Sequence, residues 1–152
     1  MVRVQAEPFD VGAELGRFGQ GRPDIGAVAS FVGLVRDEHG GAPVTAMTLE
    51  HYPGMTERQL LRLEAEAHRR WPLLDSLLVH RFGRMLPGEP IVLVATASAH
   101  RGAALDACAF LIDWLKTEAP FWKLEETPAG ERWVESRAGD EEAAARWKQP
   151  DA

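Results

Sequence analysis

Five basic side chains stand where elements of this 152-residue sequence begin or end: Arg36, His100, Arg101, Lys116 and Lys123. Their types suit anion binding with proton transfer beside it, because a guanidinium offers a forked set of donors and imidazole or amine groups exchange protons. The segment Ser98-Ala99-His100-Arg101 is the most telling of them. It lies between an apolar run and an amphipathic helical pattern, so two cations fall at a helix start. That end carries free backbone N–H groups and the positive end of the helix dipole, and a cation there costs about 0.3 to 1 kcal/mol. A phosphate or carboxylate held by the N–H groups, the imidazole and the guanidinium accounts for the placement. A solvated His-Arg pair is the plainer reading. Lys116 equally complements the C-terminal dipole of its helix, and Lys123 equally reads as an exposed strand residue. Spacing alone does not bring the five together.

Other chemistries fit less well. His39, His51, His68, His80 and His100 form no H-x-x-x-H pair, and a C-x-x-C is absent, so no metal site is expected. G-x-S-x-G is missing, and Ser98 reads as the N-cap of the following helix rather than a nucleophile. Gly16, Gly19 and Gly21 have the wrong spacing for a dinucleotide-binding turn. The single cysteine, Cys108, falls on an apolar helix face and reads as core, so no disulfide forms and any sulfur must come from outside.

Composition agrees with a soluble globular chain, with 45% hydrophobic and 26% charged residues. The 23 acidic residues outnumber the 17 basic ones, a net charge of −6 that argues against nucleic acid as a general partner. No apolar run reaches membrane-spanning length, and the opening MVRVQAEPFD has no targeting pattern, so a cytoplasmic protein without membrane contact is expected.

The elements that must position the basic residues follow from periodicity. Val2 and Val4 alternate as in an edge strand, and Asp10 starts a short helix to about Phe18. Ile25 to Val35 reads as a long buried strand ending in Arg36, and Val44 to Tyr52 as its antiparallel return after a mobile Gly40-Gly41 loop. Thr56-Glu57-Arg58-Gln59 has the form of a capping box before a helix that Pro72 stops. Strands over Ser76 to Arg81 and Ile91 to Ser98 follow, joined by a Pro87-Gly88 turn. Ala104, Leu105, Cys108, Leu111, Ile112 and Leu115 then trace an apolar helix face. Short strands at Phe121 to Glu126 and Arg132 to Ser136, and a helix over Asp140 to Trp147, close the chain. Strands and helices without a regular β-α-β repeat predict a single α+β domain over residues 1–148, mostly antiparallel, with a frayed tail at 149–152.

Four runs in order, Phe31-Val32-Gly33-Leu34-Val35-Arg36, Leu49-Glu50-His51-Tyr52-Pro53-Gly54-Met55, Ser98-Ala99-His100-Arg101 and Leu115-Lys116-Thr117-Glu118-Ala119-Pro120-Phe121-Trp122-Lys123, resemble the signatures of the molybdopterin synthase large-subunit family. The likeness continues through Gly130-Glu131-Arg132-Trp133-Val134-Glu135 and covers nearly the whole chain. It implies an α/β hammerhead fold and a sulfurtransferase that converts cyclic pyranopterin monophosphate to molybdopterin by inserting two sulfurs, with no bound cofactor. The sulfur is implied to arrive as a thiocarboxylate on the C-terminal Gly-Gly of a small ubiquitin-like subunit. This chain ends Gln-Pro-Asp-Ala and is expected to be the acceptor of that sulfur, not the carrier.

By matching motif, the resemblance makes Lys116 and Lys123 the catalytic residues. It makes Leu34, Val35, Arg36, His100, Arg101, Leu124 and Glu125 substrate-binding, with Arg137 reaching the site from the neighbouring subunit of a homodimer. A lysine among other cations has a lowered pKa, so one of the two is suited to proton transfer while the other holds the thiocarboxylate. Sequence does not divide those roles. Leu34 departs from a lysine expected in some relatives, which removes one charge from the phosphate pocket. The alternative is a non-catalytic anion-binding or carrier-docking protein on the same fold.

Overall fold

A computed structural model describes residues 1–134 and 138–148. In chain order the elements are β1 (Val2–Gln5), α1 (Val11–Arg17), β2 (Ala27–Leu34), β3 (Glu38–His39), β4 (Ala42–Pro43), β5 (Ala46–His51), α2 (Met55–Arg70), β6 (Leu73–Arg81), β7 (Gly83–Met85), β8 (Pro90–Ser98), α3 (Arg101–Glu118), β9 (Phe121–Thr127), β10 (Gly130–Val134) and α4 (Ala138–Ala145).

Two four-stranded sheets divide the work. One has the order β1-β6-β8-β2, with only β1 and β6 parallel, and the other is the antiparallel β10-β9-β5-β7. The first carries the main core because β6 and β8 are apolar on both faces. Strand alternation sends Leu78, Val92 and Val94 toward α2 and α3, where they meet Leu60, Phe110 and Leu111. Leu77, Val79, Leu93 and Ala95 go to the opposite face, against Phe9, Val11 and Leu15 beside and within α1. Phe110 and Leu60 are fully buried, each worth about 1.5 to 3 kcal/mol of transfer free energy.

The sheets are joined by one excursion of the chain. It leaves the first sheet after Arg81, pairs Gly83 to Met85 with β5, and returns at Pro90. Gly83 and Gly88 each have φ 91°, a conformation that a side chain disfavours, and they mark the exit and the return. A second cluster, Val35, Met47, Leu49, Met85 and Ile91, fills the junction.

Three expectations about the strands are corrected. Strand β2 does not pair with β5: it lies on β8, and β5 sits in the other sheet between β9 and β7. The end of β2 is captured elsewhere, since the Val35 N–H donates to the Glu89 carbonyl and the Gly88 N–H to the Val35 carbonyl. Strand β2 is also an edge strand, with Val28 and Leu34 about half exposed, rather than a buried one. The segment after Arg36 is no open loop, because Gly40 and Gly41, with φ 58° and 81°, turn β3 back on β4 as a two-residue hairpin.

Both helix-start readings shift by two residues. Gly54 heads α2, with its N–H donating to Glu57 at 2.5 Å, while Thr56 is buried and donates to the Tyr52 carbonyl. His100, not Ser98, is the N-cap of α3: Ser98 is buried and donates to the Pro72 carbonyl at 2.9 Å. The pairing of β8 with β2 and β6 runs through Ser98, which holds that residue in the sheet. Leu105 is 59% exposed, off the buried face that Ala104, Cys108, Leu111 and Leu115 form. At the other end of the fold, Trp147 packs edge-on against Trp71 and donates to Asp113. Among the described residues no helix is long and apolar enough to cross a membrane.

Candidate functional site

The C-terminal end of α3 brings Lys116 over the junction between the sheets. Leu111 and Leu115, four residues apart, are buried on the sheet, which anchors the last turn and fixes the neighbouring Lys116 at the wall of a cavity of about 390 Å³. Pro120 ends the helix and β9 begins at once. Along β9 the strand period places Phe121, Lys123 and Glu125 on the cavity side. The register pairs Leu49 with Lys123 and Met47 with Glu125, so two buried apolar side chains of β5 floor the space under those polar ones. Leu34, Val35 and Arg36 close it from the end of β2.

Of the five cations singled out in sequence, Arg36, Lys116 and Lys123 therefore share one cavity. His100 and Arg101 do not reach it. Fifteen residues of helix separate Arg101 from Lys116, about 22 Å at 1.5 Å per residue, and both His100 and Arg101 are exposed at the far end of α3. The first turn of α3 contains no acidic residue and His100 makes no side-chain cap, so that end keeps its surplus of positive potential. Leu124 alternates away from the cavity between its two polar neighbours and contributes no side chain to the wall. Arg137 lies outside the described residues.

Glu125 is buried and its Oε1 takes two partners, Nδ1 of His39 at 2.9 Å and Nε of Arg132 at 3.1 Å. Burial pushes its carboxyl up, but the hydrogen bonds from His39 and Arg132 outweigh that and hold it below the ordinary carboxylate range. Arg132 also donates to the His39 carbonyl, so the hairpin is fastened to β9 and β10 by both side chain and backbone. The carboxylate thus serves the wall of the cavity as a bound anion.

Two further cavity residues, His80 and Phe121, were not singled out by sequence. Their rings stack with centroids 3.8 Å apart and an interplanar angle of 15°. Burial pushes the His80 imidazole down to about 3, opposed by the hydrogen bond to the Arg81 carbonyl and reinforced by the positive charge of Lys116, His51 and Lys123. A lone histidine ending an apolar strand pattern was the available signal, and it does not separate a core histidine from one facing a site.

A family model described as MoaE protein matches residues 4–118. The chain belongs to the MoaE family. A relative from Pseudomonas aeruginosa, named molybdopterin synthase catalytic subunit, is 56% identical over 148 residues, covering 97% of this chain and 99% of that one. One of the same name from Escherichia coli is 50% identical over 144 residues, with 95% of each chain covered. The solved structure of a molybdopterin biosynthesis MoaE protein from Burkholderia ambifaria is 54% identical and superposes with a TM-score of 0.83 over 98% of both chains. The crystal structure of a molybdopterin synthase from Staphylococcus aureus is 30% identical, with a TM-score of 0.80 over 88% of this chain and 96% of that one. The MoaE family match ends at Glu118, so Lys116 falls inside it, while Lys123 falls within the longer alignments to whole relatives.

Proposed function

We propose that the cavity shared by Arg36, Lys116 and Lys123 is the sulfur-transfer site of a molybdopterin synthase catalytic subunit. The convergence of these three cations on one cavity, in a chain of the MoaE family, is the observation that carries this reading. The substrate is cyclic pyranopterin monophosphate, an anion, and the sulfur donor is a thiocarboxylate, a second anion. A cavity with two amines and a guanidinium offers counter-charge to both. Arg36 suits the phosphate by its forked donors. The thiocarboxylate sulfur bonds to a side-chain carbon of the pterin as that carbon loses its oxygen substituent, and water then cleaves the acyl–sulfur bond and leaves the carrier tail a carboxylate; one lysine holds the acyl oxygen while the other moves a proton at the reacting carbon. Two rounds insert the two sulfurs.

The partner in this reading is a small ubiquitin-like subunit whose Gly-Gly tail enters the cavity, and the cytoplasmic setting expected from sequence belongs to the same reading. His100 and Arg101 enter the site only from a second copy of the chain, because the length of α3 separates them from Lys116 within one copy. A homodimer carrying two small subunits satisfies that requirement, with Arg137 assigned to the same shared wall.

Mixing the protein with thiocarboxylated small subunit and cyclic pyranopterin monophosphate, and assaying the dithiolene product, tests the reading. Lys116→Ala is expected to abolish product while leaving small-subunit binding and the melting temperature near those of the parent. Lys116→Arg keeps the charge without a titratable amine, and a fall of about 10² to 10⁴ in kcat is expected if this lysine moves a proton. Near-normal turnover by Lys116→Ala would overturn the assignment, and no product from well-folded parent protein would favour a binding-only protein.

A further inference from the structure

His80 sits on the cavity wall with every freedom of its ring removed. Strand alternation puts it on the same face of β6 as Leu78, the face covered by α3, and it is 5% exposed. Its Nδ1 lies 2.8 Å from the carbonyl oxygen of Arg81. A carbonyl only accepts, so Nδ1 carries the hydrogen and a neutral ring is left with Nε2 as its acceptor. The stack on Phe121 fixes the ring plane.

Among the described residues, the cations that act on this ring come from three elements, Lys116 on α3, Lys123 on β9 and His51 on β5, and Arg36, Glu38, His39 and Glu125 line the same cavity. His51 is itself engaged through Nδ1 with Thr56 at 3.2 Å and stacks obliquely on Phe82. An acceptor on the wall of a cavity that also holds two lysines has limited options. A carboxylate would cancel the charge that the anionic substrates need, and an imidazolium would repel the amines. A neutral imidazole accepts a hydrogen bond from an ammonium and leaves the charge in place.

We propose that His80 is a positioning residue for Lys116, its Nε2 accepting a hydrogen bond from the Lys116 ammonium and setting where that group stands in the cavity. The proposal deepens the sulfur-transfer reading and rests on it for the consequence, though the contact itself stands apart from turnover. His80 carries no proton in the reaction: burial and the surrounding cations keep it neutral across the working range, so it holds the amine that reacts.

Three measurements test this. In the intact protein, nitrogen NMR of labelled histidine is expected to show His80 as the Nδ1–H form, with an Nε2 resonance that moves by several ppm in Lys116→Ala. An unmoved Nε2 overturns the proposal whatever the enzyme does. His80→Asn keeps a donor for the Arg81 carbonyl and removes the acceptor, whereas His80→Gln places an amide oxygen near the Nε2 position. Turnover by His80→Asn is expected to fall about ten- to a hundredfold in kcat with KM little changed, and the pH midpoint for acetic anhydride labelling of Lys116 to move down, while His80→Gln restores both in large part. If the glutamine variant, folded, is as impaired as the asparagine variant, His80 transfers a proton and the positioning role is wrong. If the NMR and labelling effects appear but no form of the protein makes product, the sulfur-transfer reading fails and this contact stands.

Discussion

The imidazole of His39 and the carboxylate of Glu125, 86 residues apart in sequence, meet at 2.9 Å and tie the β3–β4 hairpin to the strand that carries Lys123. Arg132 completes the knot from β10. Removing the carboxylate strands two donors at the edge of the cavity. Glu125→Ala is expected to destabilise the protein by about 1 to 3 kcal/mol and to raise amide hydrogen exchange across residues 37–45 well above that of β6 and β8. Exchange in the hairpin equal to that of the parent would show that the knot does not hold it.

The separation of Arg101 from Lys116 along α3 makes a prediction about assembly. Lys116→Ala and Arg101→Ala are each expected to be inactive alone if both residues serve one site. Mixed after unfolding and refolding together, they form dimers in which one of two sites is whole, giving about a quarter of parental turnover at equal amounts. No recovery from such mixtures would place the two residues in separate roles.

Cys108 is buried against the core, and burial pushes its thiol up to about 11 despite a hydrogen bond with Thr96. It is therefore a poor nucleophile at neutral pH. Treatment of the folded protein with iodoacetamide is expected to leave activity intact, and Cys108→Ala to lower stability by about 1 kcal/mol without loss of turnover. Inactivation that tracks modification of Cys108 would contradict a sulfur supply from outside the chain.

Among the groups that shape acid stability, His80 and Glu66 act in different pH windows. His80 falls from an ordinary value of 6.5 to about 3 in the folded protein, so below pH 6.5 the unfolded chain binds a proton that the native one does not. Stability is expected to decline from pH 6.5 toward 3, by at most about 1.4 kcal/mol per pH unit from this group. Glu66, held down to about 2 by hydrogen bonds from Arg69 and Arg70, adds to the loss only between pH 4.5 and 2, and weakly, because it stays partly solvated. Denaturant midpoints at pH 7 and pH 5 separate them: His80→Gln flattens that interval, whereas Glu66→Gln leaves it unchanged.

Local pattern made much of the molecule legible. Periodicity located α2 and α3, strand-like runs bounded by turn residues located β6, β8 and β9, and the motif runs named the family, because each depends on residues a few positions apart. The apolar pattern of residues 25–35 and 44–52 also located β2 and β5, but not their partners. Pairing depends on where the chain goes next, and the detour through β7 sent the two strands into different sheets.

The same division holds at the site. Sequence by itself picked out Lys116, Lys123 and Arg36 as chemistry-bearing residues, since a cation at the edge of an element needs an explanation whatever the fold. Only the tertiary structure decided that these three converge, that His100 and Arg101 stand a helix length away, and that His80 and His39 face the same cavity. Distance in space between residues far apart in the chain is set by sheet order and helix docking, which no local spacing encodes.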